Sequence, residues 1–290
     1  MIKKKRALIL SMVIPSMLIL VALTVFPLIY NFRNSFTDYY LLKRIAPDFI
    51  GIKNYTKILS DSYFMQAVKN TVLFTVLSVA LETGLGVLMA VFLNSFTRGK
   101  KILRILIMLP MLVPPVTVAL IWQTMFSNNY GIFNQLLGYI GIAPINWLMD
   151  THTAFFSILL IDVWQYTPLA FLLIYAALQT VPQGQYEAAA IDGANGWAKF
   201  KNITLPNIIP GLLMTILLRT IDSFRLFDKV NILTKGGPAN STATITQYIY
   251  QYGTKSFEIG YASAASIIMT VIILVLASVY LYKMLKKTVN

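Results

Sequence analysis

Six long stretches of this chain carry almost no charge, and each is long enough to cross a lipid bilayer. They cover residues 7–30, 67–95, 102–125, 153–179, 207–227 and 260–282. A helix needs about 20 apolar residues to span the hydrocarbon core, and more if it tilts. Lipid offers no hydrogen bonds, so a spanning segment must satisfy its own backbone as a helix or in a closed barrel. Barrel strands run to about ten residues of alternating polarity. These stretches are longer and continuously apolar. Of the 290 residues, 57% are hydrophobic and 12% charged, against about 25% charged in soluble domains. The expected fold is therefore all-α, a polytopic membrane protein with six transmembrane helices. The first stretch exceeds the roughly 7–15 apolar residues of a signal peptide, so it is expected to stay as an uncleaved first span.

Basic residues set the expected orientation. Lys3, Lys4, Lys5 and Arg6, then Arg98, Lys100, Lys101 and Arg104, then Lys199 and Lys201, then Lys283, Lys286 and Lys287 fall on one side. They make 13 of the 24 Lys and Arg residues. The 126–152 segment has none, although 31–66 carries some. By the positive-inside rule both termini are expected in the cytoplasm. The formal charge of +13 thus points to topology and anionic headgroups, not to nucleic acid. The absence of Cys excludes disulfides and thiolate sites. A lone His152 cannot build a histidine metal cluster.

Punctuation within the spans is informative. Pro110, Pro114 and Pro115 should kink or unwind the third span. Gly84, Gly86 and Ala90 in the second would allow close helix packing. Polar residues in spans are costly and turn inward. Asp162, Gln165, Tyr166 and Leu169 share one helical face, as do Arg219, Asp222, Ser223 and Leu226, by their i, i+3, i+4, i+7 spacing. Two readings stay open. The acids and Arg219 pair with one another and hold helices together. Alternatively they meet a hydroxylated solute, with carboxylates accepting, Arg and Gln donating, and the Tyr166 or Phe224 ring stacking on a sugar face. Glu82 is a further in-span carboxylate with no partner evident from sequence.

The segment between the fourth and fifth spans, 182–206, reads as a short helix, a glycine break and a second amphipathic helix. Glu187 to Ile191 are good helix formers, and Gly193 suits a helix C-terminus. Trp197, Phe200 and Ile203 form an apolar stripe. A stripe on a polar loop calls for a protein or headgroup to cover it.

These residues resemble the coupling loop of binding-protein-dependent ABC importer permeases. The match runs through Glu187, Ala188, Ala189, Asp192, Gly193 and Ala194 to Ile203, Leu205 and Pro206. The Asp-Gly-Ala variant is typical of carbohydrate permeases. A second element, Leu233-Thr234-Lys235-Gly236-Gly237-Pro238 with Thr242, is similar to one in maltose and glycerol-phosphate permeases, though alone it reads as an ordinary turn. The resemblance covers about 60–290 and is poor over 31–66. It implies the maltose-type permease fold, with 1–66 as an N-terminal membrane helix plus external loop and 67–290 as a five-helix core. It implies that Glu187, Ala188, Ala189, Asp192, Gly193, Ala194, Leu205 and Pro206 couple to an ATPase. Both polar faces fall where the maltose-type relative contacts its sugar. The implied partners are a second, homologous permease, two ATPase subunits and an extracytoplasmic solute-binding protein, in a bacterial or archaeal inner membrane. The Ile-Thr-Leu-Pro spacing is more like the first than the second of the two permease types.

No Gly-x-x-x-x-Gly-Lys-[Ser/Thr] phosphate loop occurs, so ATP and magnesium are expected on the partner ATPases and no cofactor on this chain. An ion-coupled secondary carrier remains a rival, but internal repeats are missing. A membrane enzyme is disfavoured because the in-span acids lack a nucleophile–base arrangement. Polyols, glycerol phosphate and amino acids are the alternative solutes.

Overall fold

A computed structural model describes residues 2–96 and 98–289, with side chains at 11–96 and 98–282. The side chains of Lys3, Lys4, Lys5, Arg6, Lys283, Lys286 and Lys287, which carry much of the orientation argument, lie outside the described residues.

The described residues are mostly helical. In order, α1 is Ile2–Asn34, α2 Lys53–Leu59, α3 Ser62–Ser95, α4 Lys100–Leu112, α5 Pro115–Met125, α6 Ile132–Tyr139, α7 Thr153–Leu178, α8 Gln183–Ile191 and α9 Gly196–Lys199. A π-helical turn, Phe200–Thr204, leads into α10, Leu205–Phe224. Then come α11 Asp228–Leu233, α12 Ile245–Tyr250, a second π turn and α13 Ile259–Val289. Among the described residues the one β-bridge joins Thr37 to Phe49.

Among the described residues five helical stretches are long and apolar enough to cross a membrane, and α4 with α5 make a sixth if the bent pair counts as one span. That pair turns by 89°. The cause is local. A residue before proline is pushed out of the helical region, and both Val113 (ψ 129°), before Pro114, and Pro114 (ψ 140°), before Pro115, are extended. Pro115 then opens α5, where its missing N–H costs nothing. The expected kink is thus a full break. The Gln165 side chain repairs it by donating to the Val113 carbonyl at 2.8 Å.

The chain divides into two compact units, residues 1–64 with 248–271, and 65–247 with 272–290. In the first, Asn54 donates to the Ser35 and Thr37 carbonyls, and the Gly260 N–H donates to the Tyr39 carbonyl. Tyr248 is buried among Tyr63, Phe64, Tyr252 and Tyr261.

Among the described residues the second unit gathers two apolar cores. One gathers Phe74, Val118, Trp122, Phe126, Phe155 and Ile158. The other gathers Ala90, Leu93, Ala170, Phe171, Ile174 and Ile208. Small residues set the spacing here. A Cβ on Gly86 would lie 2.9 Å from the Phe171 amide nitrogen, and one on Gly211 2.5 Å from the Ala177 Cβ. Gly84 differs, since a Cβ there would meet nothing within 4 Å. Of the two glycines read as packing positions, Gly86 fulfils that role within the chain.

Candidate functional site

Charge is concentrated where α3, α7, α10 and α11 meet. Arg219 on α10 is 1% exposed and Glu82 on α3 is fully buried. Arg219 donates from Nε to Glu82 Oε2 at 2.5 Å and from a terminal nitrogen to Oε1 at 3.0 Å. The same terminal nitrogen lies 3.4 Å from Asp162 Oδ2 on α7. Its other terminal nitrogen lies 3.5 Å from Asp222 Oδ2. Lys229 of α11, also 1% exposed, donates to Asp162 Oδ1. The Tyr166 ring lies under both cations, 4.3 Å from the Arg219 guanidinium carbon and 4.4 Å from Lys229 Nζ.

Burying such charges is tolerable only because each is paired and hydrogen-bonded. Two cations face three carboxylates, and the third is the informative one. Asp222 is 53% exposed, so its carboxylate is held by one long contact and keeps free acceptor capacity.

A small cavity of about 70 Å³ opens beside this network. Of the eight residues on the two polar faces, Asp162, Tyr166, Arg219, Asp222, Ser223 and Leu226 line it. Gln165 and Leu169 do not. Gln165 is spent on the broken span, and Leu169 lies one turn further along α7. Of the two rings offered by the sequence, Phe224 is buried and lines an apolar cavity with α3 and α13 residues, whereas Tyr166 lines the polar one. Two members escaped sequence reading. Glu82 has a partner after all, 137 residues away. Lys229 follows the fifth apolar stretch, and its one signal was a cluster of charges at Arg225, Asp228 and Lys229. Among the described residues no group of His, Asp and Glu could hold a metal ion.

The 182–206 segment is the second candidate. α8 buries none of its residues, and Ile191 is 87% exposed. α8 ends as expected: Gly193 has φ +75°, and the Ala194 N–H donates to the Ala189 carbonyl at 2.8 Å. This is the left-handed glycine cap that ties off orphan carbonyls. Asn195 then caps α9 by accepting from the Ala198 N–H. The expected apolar stripe divides. Trp197 is 70% exposed and stacks on Phe200 at 5.6 Å, whereas Ile203 packs against the second core.

Two contacts join α8 to the foot of α10. The Tyr186 and Thr204 hydroxyls are 2.9 Å apart, and Asn207 donates to the Gln185 side chain at 3.0 Å. Leu205 and Pro206 begin α10, and Arg219 sits about 21 Å further along it at 1.5 Å per residue. α10 thus runs without a break from the α8 contacts to the charge network.

Comparison with known proteins adds the following. A family model described as the binding-protein-dependent transport system inner membrane component matches residues 82–289. The trehalose/maltose transport system permease protein MalF of Thermococcus litoralis is 42% identical over 80% of this chain and 79% of that protein. The sulfoquinovosyl glycerol transport system permease protein SmoG of Agrobacterium fabrum is 33% identical over 92% of this chain and 87% of its own length. A crystal structure of a bacterial ABC transporter involved in the import of the acidic polysaccharide alginate contains a chain that superposes with a TM-score of 0.87. It covers 98% of this chain and 96% of that one at 22% identity, and so establishes the fold.

Proposed function

We propose, from the premise that this chain belongs to the family of binding-protein-dependent transport system inner membrane components, that it is the permease subunit of an ATP-driven importer for a carbohydrate. Relatives named for trehalose/maltose and for sulfoquinovosyl glycerol support the solute class. Residues 67–290 are the permease core, and 1–66 add a membrane helix with an external segment. The distribution of Lys and Arg supports an orientation with both termini in the cytoplasm. A second permease, two ATPase subunits carrying ATP and magnesium, and a solute-binding protein complete the assembly.

The observation that carries this reading is the uncovered α8, with Ile191 and Trp197 exposed beside a glycine-capped end. An exposed apolar cluster on a polar loop, such as Trp197 stacked on Phe200 with Ile191 nearby in sequence, suits a surface that a partner covers. Glu187, Ala188, Ala189, Asp192, Gly193 and Ala194 present that surface to the ATPase, and Leu205 and Pro206 pass its movement into α10. At the far end of α10, Asp222 and the Tyr166 ring contact the sugar, with Ser223 and Leu226 beside them. Asp162 and Arg219, already engaged with Lys229 and Glu82, fix the positions of these groups. A carboxylate accepting two hydroxyls and a ring facing a sugar plane suit a polyhydroxylated solute.

The test is co-purification of the native chain in mild detergent, with the partners identified by mass spectrometry. Recovery of a phosphate-loop ATPase, a second permease and a solute-binding protein is the expected outcome. A chain that purifies alone contradicts the assignment.

A further inference from the structure

The turn at Leu233–Pro238 is absorbed by neither the coupling loop nor the charge network. Its backbone is unusual. Lys235, Ala239 and Asn240 all have positive φ, at 53°, 47° and 60°. Non-glycine residues enter that region at a cost and persist there only when surroundings impose it. The surroundings do impose it. Thr242 donates to the Gly237 carbonyl at 2.7 Å and pairs with the Thr234 hydroxyl at 2.7 Å. Asn70 of α3 donates to the carbonyls of Asn240 and Ala243, each at 2.9 Å. The turn is a fixed wall.

That wall closes one side of a cavity of about 700 Å³, faced by the end of α5 and the segment after it. None of its lining residues is charged. Gln123, Asn128 and Asn129 bring amides, and Thr234 brings a hydroxyl. Tyr130 brings a ring that is 66% exposed. Among the described residues, the side chains of Gln123, Asn129 and Tyr130 make no hydrogen bond. Below them Phe126 stacks on Trp147 at 5.1 Å, so the floor is rigid.

We infer that this cavity is a second solute subsite, separate from the Asp222 cavity, that takes a neutral, hydroxyl-rich ligand such as one unit of a sugar. The inference rests on the permease reading above. Amides supply both donors and acceptors and so match hydroxyls, which are also both. An exposed ring offers a face to the apolar plane of a sugar. With no cation in the lining, nothing offsets the desolvation of an anion, so acidic sugars are excluded. A polar, largely preformed concavity of this volume is within the range of small-molecule sites. The charge network and this cavity then divide the work. The broad, neutral cavity admits the sugar, and the narrow charged one discriminates it.

The experiment uses the full chain in lipid nanodiscs and saturation-transfer NMR, with maltose and trehalose as neutral probes and glucuronate as the anionic one. The expected result is transfer to maltose or trehalose and none to glucuronate. Tyr130→Ala should weaken the neutral signal about fivefold, in line with loss of one ring contact, and Tyr130→Phe should retain it. Tyr130 is exposed, so neither variant threatens the fold. Equal transfer to glucuronate, no transfer to either neutral sugar, or a signal indifferent to Tyr130→Ala overturns the subsite. If Tyr130→Ala keeps the sugar signal but loses capture of the solute-binding protein, the subsite is likewise overturned, in favour of a docking face. The permease reading fails separately, by absence of ATP-driven uptake in the assembled wild-type complex.

Discussion

Arg219 and Glu82, 137 residues apart, meet in a buried two-bond ion pair, with the guanidinium 2.5 and 3.0 Å from the two carboxylate oxygens. The pair joins α10 to α3, and Asp162 extends it to α7 and, through Lys229, to α11. Four helices are thus registered against one another by charges that are almost fully buried.

Breaking that pair from one side should be severe. Arg219→Leu strands Glu82 and leaves Asp162 to Lys229 alone, and removal of one partner of a buried pair costs about 3–5 kcal/mol. The detergent-solubilised variant should melt several degrees below the parent. Glu82→Gln combined with Arg219→Gln removes both charges and should melt above Arg219→Leu. A double variant no more stable than Arg219→Leu would show that the pair is not the source of the loss.

Asp222 should behave differently, because it is half-exposed. Asp222→Ala is expected to reach the membrane at parental levels with an unchanged melting temperature, yet to abolish sugar uptake. Normal uptake would remove Asp222 from the solute path.

The two packing glycines separate cleanly. Gly86→Leu forces α3 away from the α7 backbone at Phe171 and should destabilise by about 1–3 kcal/mol, as overpacking does. Gly84→Leu projects into open space within this chain and should leave its melting unchanged. The check is thermal unfolding of both variants in the same detergent.

A pH effect is expected at Tyr248. Burial, reinforced by its hydrogen bonds to Asp61 at 2.6 Å and with Tyr261 at 2.8 Å, pushes this phenol well above the ordinary tyrosine range. A raised folded-state value means that the neutral form is favoured by folding. The contribution is therefore intact below the unfolded-state value of about 10 and is lost as pH rises past it. Melting temperature should fall as pH rises above about 10, and Tyr248→Phe should flatten the fall. An equally steep fall in the variant would assign it to other groups.

Much of this architecture is written in local pattern. The six apolar stretches correspond to five long apolar helices and the bent α4–α5 pair, Gly193 marked the end of α8, and the prolines at 110, 114 and 115 marked the broken span. The i, i+3, i+4, i+7 spacing gathered six residues that do line one cavity. What local pattern could not give is pairing at long range. Glu82 was visible as a costly charge, but its partner lies on another helix, and no periodicity links 82 to 219. Lys229 follows an apolar stretch, where a basic residue normally marks a span's end, so its burial was hidden. Gln165 has the right helical face for a solute contact, but the carbonyl freed at Val113 claims its amide.

The most direct test of the account concerns force transmission through α8. The importer, assembled from this chain and its co-purified partners, is reconstituted in proteoliposomes with ATP and magnesium on the ATPase side. Sugar uptake is measured for the parent and for Gly193→Val, which forces a β-branched residue into a left-handed cap at φ +75°. The account predicts ATP-dependent uptake in the parent. In Gly193→Val it predicts loss of most of that uptake, with partner subunits still hydrolysing ATP and the chain still in the membrane. Uptake that proceeds without ATP and stops when the proton gradient is collapsed, with Gly193→Val indistinguishable from the parent, would contradict it.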